Sequence, residues 1–145
     1  MTEVAFHFNA ADKAAYLCRL LRKALARGSR VTVSGDDAAL QRLDADLWRF
    51  SEVDFVPHCR LGADPAVLAA SPIVLCATPH DSPHREVLLN LGAEVPPGFE
   101  AFERLIEVVG SDAADRADSR RRWKRIAPPR WWRQSERWHI VQRNH

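Results

Sequence analysis

Val4-Ala5-Phe6-His7-Phe8 alternates as a strand does, and a helical stretch follows before a second strand begins. Asn9 and Asp12 supply helix-start chemistry. From Ala14 to Arg27 the apolar residues Tyr16, Leu17, Leu20, Leu21, Ala24 and Leu25 lie at helical spacing, and Gly28 stops the run. Arg30-Val31-Thr32-Val33 is the second strand, and Asp36 opens a second helix through Leu40, Leu43, Leu47 and Trp48. Two strands separated by a helix cannot be joined as a hairpin. The order therefore predicts an α/β sheet with parallel neighbours.

The middle of the chain is less regular. Asp54-Phe55-Val56-Pro57-His58 is a short extended piece, and Asp64 to Ala70 is loop or a helical turn. Pro72 to Cys76 and Glu86 to Leu91 read as buried strands, with a turn-rich loop from Pro79 to Pro83 between them. After Pro96-Pro97-Gly98, the spacing of Phe99, Phe102, Leu105, Ile106 and Val109 predicts a helix ended by Gly110. Asp112 caps a last helix reaching about Lys124, and Pro128-Pro129 breaks it. Residues 1–125 thus form one α/β domain, with 126–145 as a basic, tryptophan-rich C-terminal extension.

Chemistry for small ligands is sparse. The turn after the first strand is Asn9-Ala10-Ala11-Asp12, with no Gly-x-Gly-x-x-Gly, and no Gly-x-x-x-x-Gly-Lys-Ser/Thr occurs in the chain. Backbone amides approach phosphate only where side chains are absent, and Asp12 would oppose an anion there. No nucleotide or other cofactor is expected. His58-Cys59 and the pair His80 and His84 offer too few ligands for a closed zinc site. Ser82 with His84, or Cys59 with His58, lacks the surroundings of a nucleophile and base. Cys18, Cys59 and Cys76 are widely spaced and odd in number, which predicts free thiols. No apolar run is long enough to span a bilayer and no signal-peptide pattern opens the chain, so a cytoplasmic protein is expected.

Charge is distributed unevenly. Ala113 to His145 carries 10 Lys/Arg against 3 Asp/Glu, while the preceding residues carry 11 basic and 16 acidic side chains. The formal net charge of +2 hides a dipolar molecule. Arg120-Arg121-Arg122-Trp123-Lys124-Arg125 and Arg130-Trp131-Trp132-Arg133 place indoles among cations, a surface suited to nucleic acid or to an acidic peptide. Asp112, Asp115 and Asp118 occupy the first half of the last helix, where its dipole favours them, and cations crowd the second half. The cations flanking Trp123 would repel one another unless an anion joins them, which predicts a bound carboxylate gripped by arginine. Trp48 and Phe55 are either core aromatics or, if exposed together, an apolar anchor for a partner.

The ordered series of these segments over roughly residues 4–125 resembles the chi subunit of bacterial DNA polymerase III, an accessory to the clamp loader. The resemblance runs from Val4-Ala5-Phe6-His7-Phe8 through Leu47-Trp48-Arg49-Phe50 to Asp54-Phe55-Val56-Pro57-His58. It continues through Val87-Leu88-Leu89-Asn90-Leu91-Gly92, Phe102 to Val109 and Arg120-Arg121-Arg122-Trp123-Lys124. Beyond Arg125, the stretch with Trp131, Trp132 and Trp138 departs from the family pattern. The resemblance implies a non-catalytic, Rossmann-like three-layer α/β/α protein with a mostly parallel central sheet. It implies binding to the acidic C-terminal tail of single-stranded DNA-binding protein through Arg120, Trp123 and Lys124, with Val109 as an apolar wall. It also implies a psi-subunit contact through Trp48 and Phe55. DNA would be reached indirectly through that partner, or directly through residues 126–145. In the rival reading the chain is itself a single-stranded nucleic-acid binder, with Trp131, Trp132 and Trp138 stacking on bases.

Overall fold

The computed structural model describes residues 2–50, 56–60, 62–126 and 138–144. Among these residues seven strands form one sheet: β1 (Thr2–Ala10), β2 (Val31–Ser34), β3 (His58–Arg60), β4 (Ile73–Cys76), β5 (Val87–Asn90), β6 (Arg104–Gly110) and β7 (Trp138–Asn144). Their spatial order is β3-β4-β2-β5-β6-β1-β7, and every pairing is parallel. The helices are α1 (Lys13–Ala26), α2 (Asp37–Phe50), α3 (Pro65–Ala70) and α4 (Ala113–Ile126). Among the described residues no helix is long and apolar enough to cross a membrane.

The first two helices form where local chemistry places them. Asp12 caps α1 by accepting the Ala15 N–H, and Asp36 accepts the Ala39 N–H at the start of α2. Gly28, at φ 74°, takes the left-handed conformation that turns the chain out of α1. Asp112 does the same work for α4 by accepting the Asp115 N–H at 2.8 Å.

Alternation along the strands divides the interior into two layers. Val31, Val33, Ile73, Leu75, Leu89, Ile106 and Val108 point to one face and pack with Leu17, Leu21, Leu40, Leu43 and Leu47 of α1 and α2. Val4, Phe6, Leu88, Leu105 and Val109 point to the other, with Phe99, Phe102 and Ile126. Connection handedness accounts for this division. The crossovers from β1 to β2 and from β2 to β3 run one way along the sheet and put α1 and α2 on the first face. The path from β6 to β7 runs the opposite way, so a right-handed crossover carries α4 over the second face.

One expected element is corrected. The stretch from Phe99 to Val109 is a single 3-10 turn at Phe99–Ala101 followed by β6, not a helix. Gly98, at φ 78°, opens the turn, and Phe102 is already extended. A parallel strand covered on both faces has no polar side, so Leu105-Ile106 and Val108-Val109 lose the alternation that marks a strand and mimic a helical face. At the far end, β7 pairs with β1 in register from Thr2↔Trp138 to Phe8↔Asn144, which places residues 138–144 within the sheet.

Leu88, wholly buried on the central strand β5, reports on this core. Leu88→Ala is expected to lower the unfolding free energy by about 2–5 kcal/mol, read from the urea midpoint at unchanged m-value.

Candidate functional site

The α4 helix lies on the second face with a sharply divided surface. Ser119, Arg122 and Ile126 are buried, and Trp123 is half-buried beside them. The Trp123 indole meets the Phe6 ring edge-on at 5.1 Å between centroids, and Phe6 stacks on Phe8 at 6.0 Å. Trp123 is thus fixed by aromatic packing while keeping part of its ring in water.

The depth of Arg122 is the unexpected feature. Its side chain is 4% exposed, and its Nε donates to Glu107 Oε2 at 2.9 Å; the Glu107 side chain is 0% exposed. Asn90, the β5 partner of Glu107 in register, donates its amide to Glu107 Oε1 at 2.8 Å. That amide also reaches the Glu94 carbonyl at 2.9 Å, and Asn90 Oδ1 accepts the Gly92 N–H at 2.9 Å. Burial outweighs the opposing pull of Arg122 and the Asn90 amide and leaves the Glu107 carboxyl raised to about 7. Neighbouring Asp115 behaves oppositely. Burial pushes it up, but the Gly110 N–H and Lys13, whose Nζ lies 3.0 Å away, outweigh that and hold it below the ordinary value.

With Arg122 committed inward, the remaining cations of α4 sort themselves. Arg121 pairs with Asp118, and Arg125 lies 3.3 Å from Glu94. Arg116, Arg120 and Lys124 are exposed at i, i+4 and i+8 and make no ion pair with another described residue. The expectation that all cations flanking Trp123 need an outside anion is therefore corrected. Internal carboxylates satisfy Arg121, Arg122 and Arg125, and the surplus charge is the outer stripe. Arg116 was not singled out from the sequence, although its i+4 spacing to Arg120 was legible there.

Of the other residues expected at this site, Val109 is 1% exposed in the apolar layer that also holds Trp123. It lies beneath the surface rather than on it. Trp131 and Trp132 lie outside the described residues, and Trp138 opens β7.

Trp48 stands at the end of α2 and is 59% exposed, which decides against core packing. Its ring rests edge-on against His58 at 5.5 Å. His58 is held in turn by Asp44 Oδ1 at 2.6 Å and the Val56 carbonyl at 2.7 Å. Phe55 lies outside the described residues.

The small-molecule candidates do not assemble. His84 is buried with Nε2 2.6 Å from the Ser71 carbonyl, whereas His80 is exposed. Ser82 Oγ accepts from Thr32 Oγ1 at 2.8 Å and from the His84 backbone N–H, so its hydroxyl is bound into the loop. Burial raises the Cys18 and Cys76 thiols to about 11, which leaves them protonated and unreactive at neutral pH. Among the described residues, no three His, Cys, Asp or Glu side chains could hold a metal ion together.

The family model described as DNA polymerase III chi subunit, HolC, matches residues 1–128. This chain belongs to the chi subunit family. The DNA polymerase III subunit chi of Pseudomonas aeruginosa is 33% identical over 129 residues, covering 86% of this chain and 88% of the relative. The subunit chi of Haemophilus influenzae is 28% identical over 116 residues, covering 79% of each. Membership makes this protein a DNA replication accessory subunit of the polymerase III holoenzyme, not its catalytic part.

The buried pair has a testable pH signature. A carboxyl whose folded pKa lies above its unfolded value stabilises the fold fully below the unfolded pKa, and that contribution fades as pH rises through about 7. In urea titrations between pH 5 and 8, wild-type stability should fall with pH relative to Glu107→Gln. Parallel curves would mean that Glu107 is ionised throughout.

Proposed function

We propose that this chi family protein joins the clamp loader to single-stranded DNA-binding protein by binding that protein's acidic C-terminal tail on α4. The supporting observation is the outer stripe of Arg116, Arg120 and Lys124, exposed beside a half-open, rigidly packed Trp123, while the adjacent cations are already neutralised. A peptide ending in acidic residues, an apolar side chain and a free α-carboxylate needs both features at once. Arg120 and Lys124 pair with its carboxylates, and the apolar end lies against the Trp123 indole. Val109 contributes from below, as part of the layer that holds the indole in place. The protein acts in the cytoplasm, where replication takes place.

A second contact, with a psi-type subunit, is proposed at Trp48. An exposed tryptophan steadied by His58 is a ready anchor for a partner's apolar pocket. Phe55 is assigned to the same contact by family resemblance.

Two measurements check these assignments. Arg120→Ala/Lys124→Ala is expected to weaken binding of the tail peptide by about tenfold or more in calorimetry and to flatten its salt dependence. Unchanged affinity removes α4 as the receptor. Trp48→Ala should leave the thermal midpoint nearly unchanged, because most of its ring is in water, while lowering affinity for psi. Retained psi binding would move that contact elsewhere.

A further inference from the structure

We propose that a cleft between α1 and the sheet, on the face opposite α4, is a docking groove for an amphipathic helix of a partner protein, one with an acidic flank. The site is independent of the α4 receptor and of the Trp48 contact.

The cleft encloses ≈ 680 Å³. Ala5 and His7 of β1, Ile106 of β6, and Val87 and Leu89 of β5 form its floor. Parallel sheets are ordinarily covered on both faces. Here α1 packs on β6, and the cleft runs along its flank beside β1. The floor is deep: His7, Val87 and Ile106 each retain 7% of their surface, Ala5 2% and Leu89 1%. A helix laid in the cleft would complete the layer.

The wall and rim specify what kind of helix. Tyr16, Leu20 and Ala24 are half-buried along the flank of α1 that faces the cleft. Above them Arg19, Lys23 and Arg27 stand exposed at i, i+4 and i+8, spaced over about 12 Å, with no ion pair to another described residue. Arg104 adds a cation on the sheet side, 3.7 Å from Glu3. An apolar floor beneath a cationic rim matches a helix with one apolar face and carboxylates at i, i+4 and i+8. Nucleic acid fits less well, because bases need open aromatic platforms. The one aromatic among the cleft's residues besides His7 is Tyr16, whose hydroxyl is hydrogen-bonded to His7 Nδ1 and whose ring meets the His7 ring edge-on.

The test uses the full chain and a fluorescein-labelled designed peptide of about 18 residues, with leucine along one face and glutamate along one flank. A scrambled peptide of equal composition and a dT oligonucleotide are the comparators. The groove predicts that the designed helix binds better than the scrambled one. Arg19→Glu/Lys23→Glu/Arg27→Glu should weaken it by about tenfold or more, and Arg120→Glu/Lys124→Glu should not. The milder Arg19→Ala/Lys23→Ala pair should show a smaller loss in the same direction, with circular dichroism melting confirming the fold. Equal binding of the scrambled peptide, or indifference to the α1 substitutions, overturns the proposal. Tighter oligonucleotide binding that the α1 substitutions abolish also overturns it and makes the cleft a nucleic-acid site.

Discussion

A single buried ion pair sets how this molecule presents itself. Arg122 reaches from α4 to Glu107 on β6, and Asn90 on β5 fills the other carboxylate oxygen. Both charged groups are out of water, so neither can swing away without leaving the other uncompensated. Such a pair adds little net stability over an apolar replacement, but breaking it is expensive. Its consequence here is rotational. With Arg122 pointing inward, Arg120 and Lys124 lie on the opposite side of the helix, Arg116 continues the stripe, and Trp123 is carried to the boundary against Phe6.

The remaining charges on α4 follow from that anchoring. A run of consecutive arginines looks uniform in sequence, yet each turn of the helix assigns its members different partners. Arg121 finds Asp118 within the helix, and Arg125 reaches Glu94 in the loop after β5. Among the described residues of α4, the outer stripe alone is left without an ion pair. Lys13 and Asp115 tie the beginnings of α1 and α4 together at the ends of β1 and β6, which keeps the helix seated where the pair needs it.

Crossover handedness separates the surfaces proposed for partners. Because α1 and α2 lie on one face of the sheet and α4 on the other, the Trp48 contact near β3 and the α4 stripe do not compete for space. The cleft beside α1 opens on the first face but towards β1, away from β3. An accessory subunit that works by contact gains from such spacing, since one partner need not leave before another arrives.

Local pattern settled much of this protein. The order of β1, α1, β2 and α2, their capping by Asp12 and Asp36, and the buried strands β4 and β5 follow from periodicity and end signals that act over a few residues. The cationic helix was equally plain, whereas the choice of Arg120, Trp123 and Lys124 upon it came from the family resemblance. Tertiary structure decided what depends on residues far apart. It made 104–110 a strand because both of its faces are covered, which erases the alternation that would have revealed it. It exposed Trp48, placed β7 beside β1, and chose Arg122 for burial by offering Glu107 fifteen residues earlier on β6. A charge's partner is fixed by where the backbone brings a second charge, and periodicity along one helix carries no record of that.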